Sequence, residues 1–104
     1  MKDMGTYEIL SHVVLPECSI RIIRMQQAEH VSPHYHEKSA QVYTVLENRV
    51  EAQVGDHTML LRPYETVRIE KSVVHSIRTL DGDALVMSLS IPPLEREDQR
   101  VVEK

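Results

Sequence analysis

Ser32-Pro33-His34-Tyr35-His36-Glu37-Lys38-Ser39-Ala40-Gln41 sets two histidines two positions apart and follows them with a glutamine. On an extended chain, residues two apart project to the same face. Two imidazoles side by side on one face are a poor structural choice, because they cost desolvation and repel when protonated. A divalent cation removes both problems by binding the neutral rings through nitrogen. Gln41 lies at an odd offset from His36, so a loop or bulge must intervene for it to face the same way. Lys38-Ser39 could supply it. Further on, Val73-Val74-His75-Ser76-Ile77-Arg78-Thr79 alternates and puts His75 on one face with Val73, Ile77 and Thr79. A histidine buried there needs a partner. His34 and His36 are therefore candidate metal ligands, and His75 and Gln41 are left as residues that could join them.

The flanking chain reads as short strands. Ser19 to Gln26, Gln41 to Leu46, Arg49 to Val54, Thr66 to Glu70 and Asp83 to Ile91 are rich in Val, Ile and Leu, and several alternate at a period of two. Asn48 suits a tight turn because Asn tolerates positive φ, and Gly55-Asp56 and Asp81-Gly82 mark two more. Pro16, Pro33 and Pro63 sit at strand breaks. Regular short strands with turns between them predict an all-β sandwich or barrel. The strand from Gln41 carries apolar residues on both faces. With Gln41, Tyr43 and Val45 inward, Val42 and Leu46 form an outer face that is either a subunit contact or covered within the monomer. Arg24 could bind a substrate carboxylate if it faces inward, but Ile22 and Ile23 leave its facing open. His12, His30 and His57 have no partner spacing and read as surface residues. The charged segment 94–104 reads as a solvated terminus.

With 104 residues, 41% apolar and 27% charged, the chain is expected to be one domain, with the barrel over about 7–92. The net charge of −4 comes without a basic block, which argues against nucleic acid. An acidic surface and the lack of a long apolar run argue against a membrane partner. No signal peptide follows Met1, and the single Cys18 fits a reducing compartment, so the expected location is cytoplasmic. There is no Phe and no Trp. The core must be filled by Val, Ile, Leu and Met, and a pocket here does not rest on aromatic stacking.

The run from His34 resembles the first conserved motif of the cupins, His-x-His followed by a carboxylate and then a glycine. Here it reads His34, His36 and Gln41, with Asn48 where the glycine is usual. Leu61 to Ile69 leading to Ser72-Val73-Val74-His75-Ser76 is similar to the second motif, with Ser72-Val73 in place of the usual Pro-Gly. The resemblance covers roughly residues 20 to 92. It implies a cupin double-stranded β-helix, or jelly-roll barrel, often a homodimer, with one divalent transition metal (Zn, Fe, Mn, Ni, Co or Cu) inside its open end. Some small cupins that open or isomerise unsaturated uronic sugars also carry three His and a Gln.

Gln41 in place of a carboxylate changes the chemistry. Four neutral ligands leave the full dipositive charge on the ion, which makes it a stronger Lewis acid. The expected function is then a small-molecule metalloenzyme of isomerase, lyase or ring-opening type, with Tyr43, on Gln41's face, as a candidate acid or hydrogen-bond donor. A metal-dependent dioxygenase is the nearest alternative. A non-catalytic binding or sensing module is the alternative of another class.

Overall fold

A computed structural model describes residues 5–27 and 29–102, which form two antiparallel sheets laid face to face. In chain order the strands are β1 (Gly5–Thr6), β2 (Glu8–Val14), β3 (Ser19–Met25), β4 (His30–Tyr35), β5 (Ala40–Glu47), β6 (Val50–Val54), β7 (His57–Leu61), β8 (Thr66–Ile69), β9 (His75–Thr79), β10 (Ala84–Ile91) and β11 (Arg100–Val101). One sheet runs β1-β4-β9-β6-β7, with β11 also pairing β4. The other runs β2-β3-β10-β5-β8. From β3 onward the chain crosses repeatedly between sheets and winds around one interior. This is the double-stranded β-helix expected from the sequence.

The period of two decides which side chains fill that interior. Gln41, Tyr43 and Val45 of β5 are buried, while Val42, Thr44 and Leu46 are half-exposed. In β9, His75, Ile77 and Thr79 are buried, and Val73 lies in the loop before the strand. Strand register then stacks the five-stranded sheet's inner face in tiers. Ser90 stands between Ser19 and Gln41, Ser88 between Arg21 and Tyr43, and Val86 between Ile23 and Val45. Ala84 pairs with Met25 at the far end. The interior thus grades from polar at one end to apolar at the other. Met25, Val45, Val50 and Val86 have no exposed surface, so aliphatic packing does supply the core.

The turns behave as their residues require. Asn48, in the link between β5 and β6, takes φ 61° and donates Nδ2–H to the Asp83 carbonyl at 2.9 Å. Ser72 takes φ 65°, a left-handed conformation that a glycine would adopt more cheaply. Its N–H donates to the His36 carbonyl at 2.7 Å, which ties the loop before β9 to the end of β4.

Val42 and Leu46, whose covering the sequence leaves open, are partly exposed, with Ile20, Ile22, Met87 and Leu89 on the adjoining strands of the same outer face. One expectation needs correcting: the segment from Leu94 is not a solvated tail as far as Val102; residues 103 and 104 lie outside the described residues. It makes a 3-10 turn at Arg96–Asp98, pairs β11 with β4, and buries Asp98 to 1% exposure. Charge suggested solvent, but the Asp98 carboxylate is covered and held by the backbone amides of Glu37 and Lys38 at the bend after β4.

Candidate metal centre

Three elements converge on the polar end of the barrel. His34 on β4 stands directly across from His75 on β9 in the strand register, and His36 follows one residue past the end of β4. The three rings are buried, with centroids 4.2 Å (His34–His75), 4.8 Å (His34–His36) and 5.3 Å (His36–His75) apart. One nitrogen from each can be chosen so that all lie within 4.8 Å of one another. A bend at Glu37–Lys38 carries the chain to the opposite sheet, and Gln41 reaches the cluster from there. The interruption anticipated between His36 and Gln41 is this crossing.

Each imidazole is oriented by a main-chain carbonyl. Nδ1 of His34 donates to Ser32 O at 2.7 Å, that of His36 to Asp98 O at 2.8 Å, and that of His75 to Val73 O at 2.9 Å. A carbonyl only accepts, so the neutral rings carry their proton on Nδ1 and a lone pair on Nε2. Nε2 of His36 is buried with no hydrogen-bond partner. Gln41 donates Nε2–H to Ser90 Oγ at 2.8 Å, which leaves its Oε1 3.0 Å from Nε2 of His75. With the proton of His75 on Nδ1, two acceptors face each other there. Orphaned and opposed lone pairs of this kind are what a bound divalent cation satisfies, and backbone carbonyls behind the histidines are the usual support of a metal site.

The rings are also held neutral. Burial pushes His34 down to about 3, helped by the neighbouring His75 and opposed by the Ser32 carbonyl. Burial pushes His75 down to about 4 against the Val73 carbonyl. His36 is lowered by burial, which outweighs the Asp98 carbonyl and carboxylate. The sign for stability follows from linkage. Below the unfolded-state value of about 6.5 the unfolded chain binds protons that the folded chain refuses. The metal-free protein should keep its full stability above that pH and lose roughly 1–3 kcal/mol per pH unit as pH falls from 6 toward 4. Urea unfolding of metal-free protein at pH 7 and pH 5 reads this, and equal midpoints would show that the rings are not held neutral.

In front of the histidines lies a cavity of about 30 Å³, on a scale where one water needs roughly 10–15 Å³. Tyr43 lines it, with its ring 5.7 Å from that of His75. Burial raises the Tyr43 hydroxyl well above the usual tyrosine range, and nearby Tyr7 adds to this against the opposing charge of Arg21. Arg24 is not in the cavity. It faces out and pairs with Glu8 at 2.6 Å. The inward arginine of β3 is Arg21, which lines the cavity together with Tyr7. Sequence reading missed both, and it missed Asp98. His12, His30 and His57 are exposed, as expected.

Three convergent histidines at one end of a small jelly-roll barrel form a possible metal site. The model of the cupin domain matches residues 21–92, and the chain belongs to that family. No protein of curated function matches the sequence. Among solved structures the chain is similar to TT1209 of Thermus thermophilus (TM-score 0.77, 21% identity, covering 86% of this chain and 85% of that one). It is also similar to KdgF of a Halomonas species (0.76, 20%, 90% and 83%). A third likeness is to a predicted oxalate decarboxylase of Thermotoga maritima (0.76, 14%, 83% and 80%). At these identities the likeness is one of fold. No helix among the described residues is long and apolar enough to cross a membrane.

Proposed function

We propose that the protein is a metalloenzyme that acts on a small oxygen-rich molecule by isomerisation, elimination or ring opening. His34, His36 and His75 would hold a divalent ion, with Gln41 Oε1 as the fourth protein ligand. The observation that carries this reading is the set of Nδ1-anchored, neutral histidines, two of which, His34 and His36, line a cavity with no carboxylate in its lining. When bound there, the ion supplies Lewis acidity to a carbonyl or hydroxyl oxygen, undiminished by an anionic ligand.

The chain's own residues define the rest. Ser90 fixes the Gln41 amide so that its oxygen faces the histidines. Tyr43, kept protonated by burial, suits donation of a hydrogen bond to a substrate oxygen. Its raised pKa makes it a poor proton shuttle at neutral pH, so it is a positioning donor rather than an acid. The small cavity admits the reacting end of a substrate and leaves the remainder at the mouth. The likeness to a predicted oxalate decarboxylase supports a lyase among the candidate activities.

The test is to load tag-free protein with each of Zn, Mn, Fe, Co, Ni and Cu and to offer unsaturated uronates and small keto acids, following substrate loss and dissolved oxygen together. Turnover without oxygen uptake is the expected result. Oxygen consumed in step with substrate would make the protein a dioxygenase. Full metal occupancy with no turnover of any substrate would favour a binding module.

A further inference from the structure

Arg21 is the one cation among the residues lining the cavity, apart from the histidines. Its place follows from register: on β3 it sits opposite Ser88, which in turn sits opposite Tyr43, in the tier next to Ser19, Ser90 and Gln41. Neighbouring tiers on one face are separated by about 7 Å along the strands. The Arg21 Nε is buried and has no hydrogen-bond partner. Among the described residues no hydrogen bond or ion pair engages its guanidinium; Arg24, whose Nε is likewise buried without a partner, has its Nη2 on Glu8. The cavity lining contains no Asp or Glu. A chain with a formal charge of −4 thus keeps an uncompensated positive pocket inside, and a divalent ion on neutral ligands would make it more positive still.

The Arg21 side chain is half-buried, and its buried Nε–H, left without an acceptor, costs free energy unless a ligand supplies one. The acceptor that best matches it is a planar two-oxygen anion, because the guanidinium fork pairs with a carboxylate through parallel hydrogen bonds. Tyr7 and Tyr43 line the same cavity and add hydroxyl donors. Arg21, His34 and His36 line one small cavity, so a short acid can set its carboxylate on Arg21 with a neighbouring oxygen toward the histidines. The enclosed space is small, which favours a short acid at the reacting end. We infer that Arg21 is the anchor for a substrate carboxylate and that the substrate is a small organic acid whose hydroxyl or carbonyl oxygen, next to the carboxylate, is presented to the histidine cluster.

This rests on the metalloenzyme reading, and the experiment separates the two. Protein loaded with Co²⁺, whose visible absorption reports the ion's ligands, is titrated with glycolate and with glycolamide, its uncharged analogue. The parent should prefer glycolate. Arg21→Gln should weaken glycolate by about tenfold or more, leave glycolamide unchanged and keep the Co²⁺ content of the parent. Arg21→Lys should recover part of the loss, since it restores charge without the fork. An unchanged glycolate affinity in Arg21→Gln would overturn the inference, as would an equal loss for both ligands. If the protein takes up no Co²⁺, the metal reading falls by itself. The carboxylate site is then judged by the glycolate affinity of the metal-free protein, measured by calorimetry, against that of metal-free Arg21→Gln.

Discussion

Tag-free protein carrying His75→Ala should contain almost no transition metal, while the parent prepared alongside it should hold close to one equivalent. His75 supplies one of three inward nitrogens, and its Nε2 is the one that faces Gln41 Oε1 at 3.0 Å. Losing an outer partner of a metal ligand costs about 10–100-fold in affinity, and losing the ligand itself should cost more than about 100-fold. The fold should survive. The substitution leaves the backbone pairs of β9 with β4 and β6 in place, and it removes an imidazole whose neutral form burial enforces. Elemental analysis of both proteins, with circular dichroism as a check on folding, decides the matter. Metal retained by the variant would remove His75 from the site. No metal in the parent, even after reloading, would sink the metalloenzyme reading.

The second large effect is expected far from the histidines in sequence. Asp98→Ala should destabilise the protein by about 2–4 kcal/mol and weaken metal binding by about 10–100-fold. Asp98 Oδ1 accepts the Glu37 amide and Oδ2 the Lys38 amide, each at 2.9 Å, and its carbonyl accepts Nδ1–H of His36. Burial alone would raise this carboxyl. The Lys38 and Glu37 amides, with His36 and Arg100, more than offset that and leave it below the usual carboxylate value. Truncation to alanine strands two amides at the bend that leads to Gln41 and frees the segment that orients His36. Asp98→Asn is the control: it keeps the shape and one acceptor but sets an amide donor against one of the two N–H groups, so it should fall between the others. Urea midpoints and metal affinity are read together. Values for Asp98→Ala that match the parent's would show that the segment does not support the site.

How much of this was legible beforehand depends on whether the signal was local. His34, His36 and His75 could be found because alternation fixes which face a residue shares, and the face needed a ligand. Gln41 came from the likeness to the cupin motif, since its spacing from His36 alone required a break in the strand between them. Arg21 was not, because β3 is apolar at both parities: Ile23 and Met25 fill the core, while Ile20 and Ile22 cover the outer face. Pattern alone gave no reason to prefer Arg21 to Arg24. Asp98 was hidden for another reason. Its partners lie about sixty positions away, at 37 and 38, and it sits in a polar stretch with Glu95, Arg96, Glu97 and Arg100, so only the docked segment reveals it. Ser72 stood out as a departure from the family's motif, but its left-handed φ required coordinates to see.

The graded interior has a consequence of its own. The tiers of Ser19, Ser90 and Gln41 and of Arg21, Ser88 and Tyr43 hold the polar groups of the proposed site, whereas Ile23, Val86 and Val45, with Met25 and Ala84 beyond them, hold the apolar packing. Recognition and folding therefore occupy opposite halves of the barrel and compete little for the same positions. A new specificity could be reached by exchanging a few inward residues in the polar tiers, while the hydrophobic half that drives collapse stays as it is. Such a barrel is a scaffold on which substrate choice can drift without the fold having to be solved again.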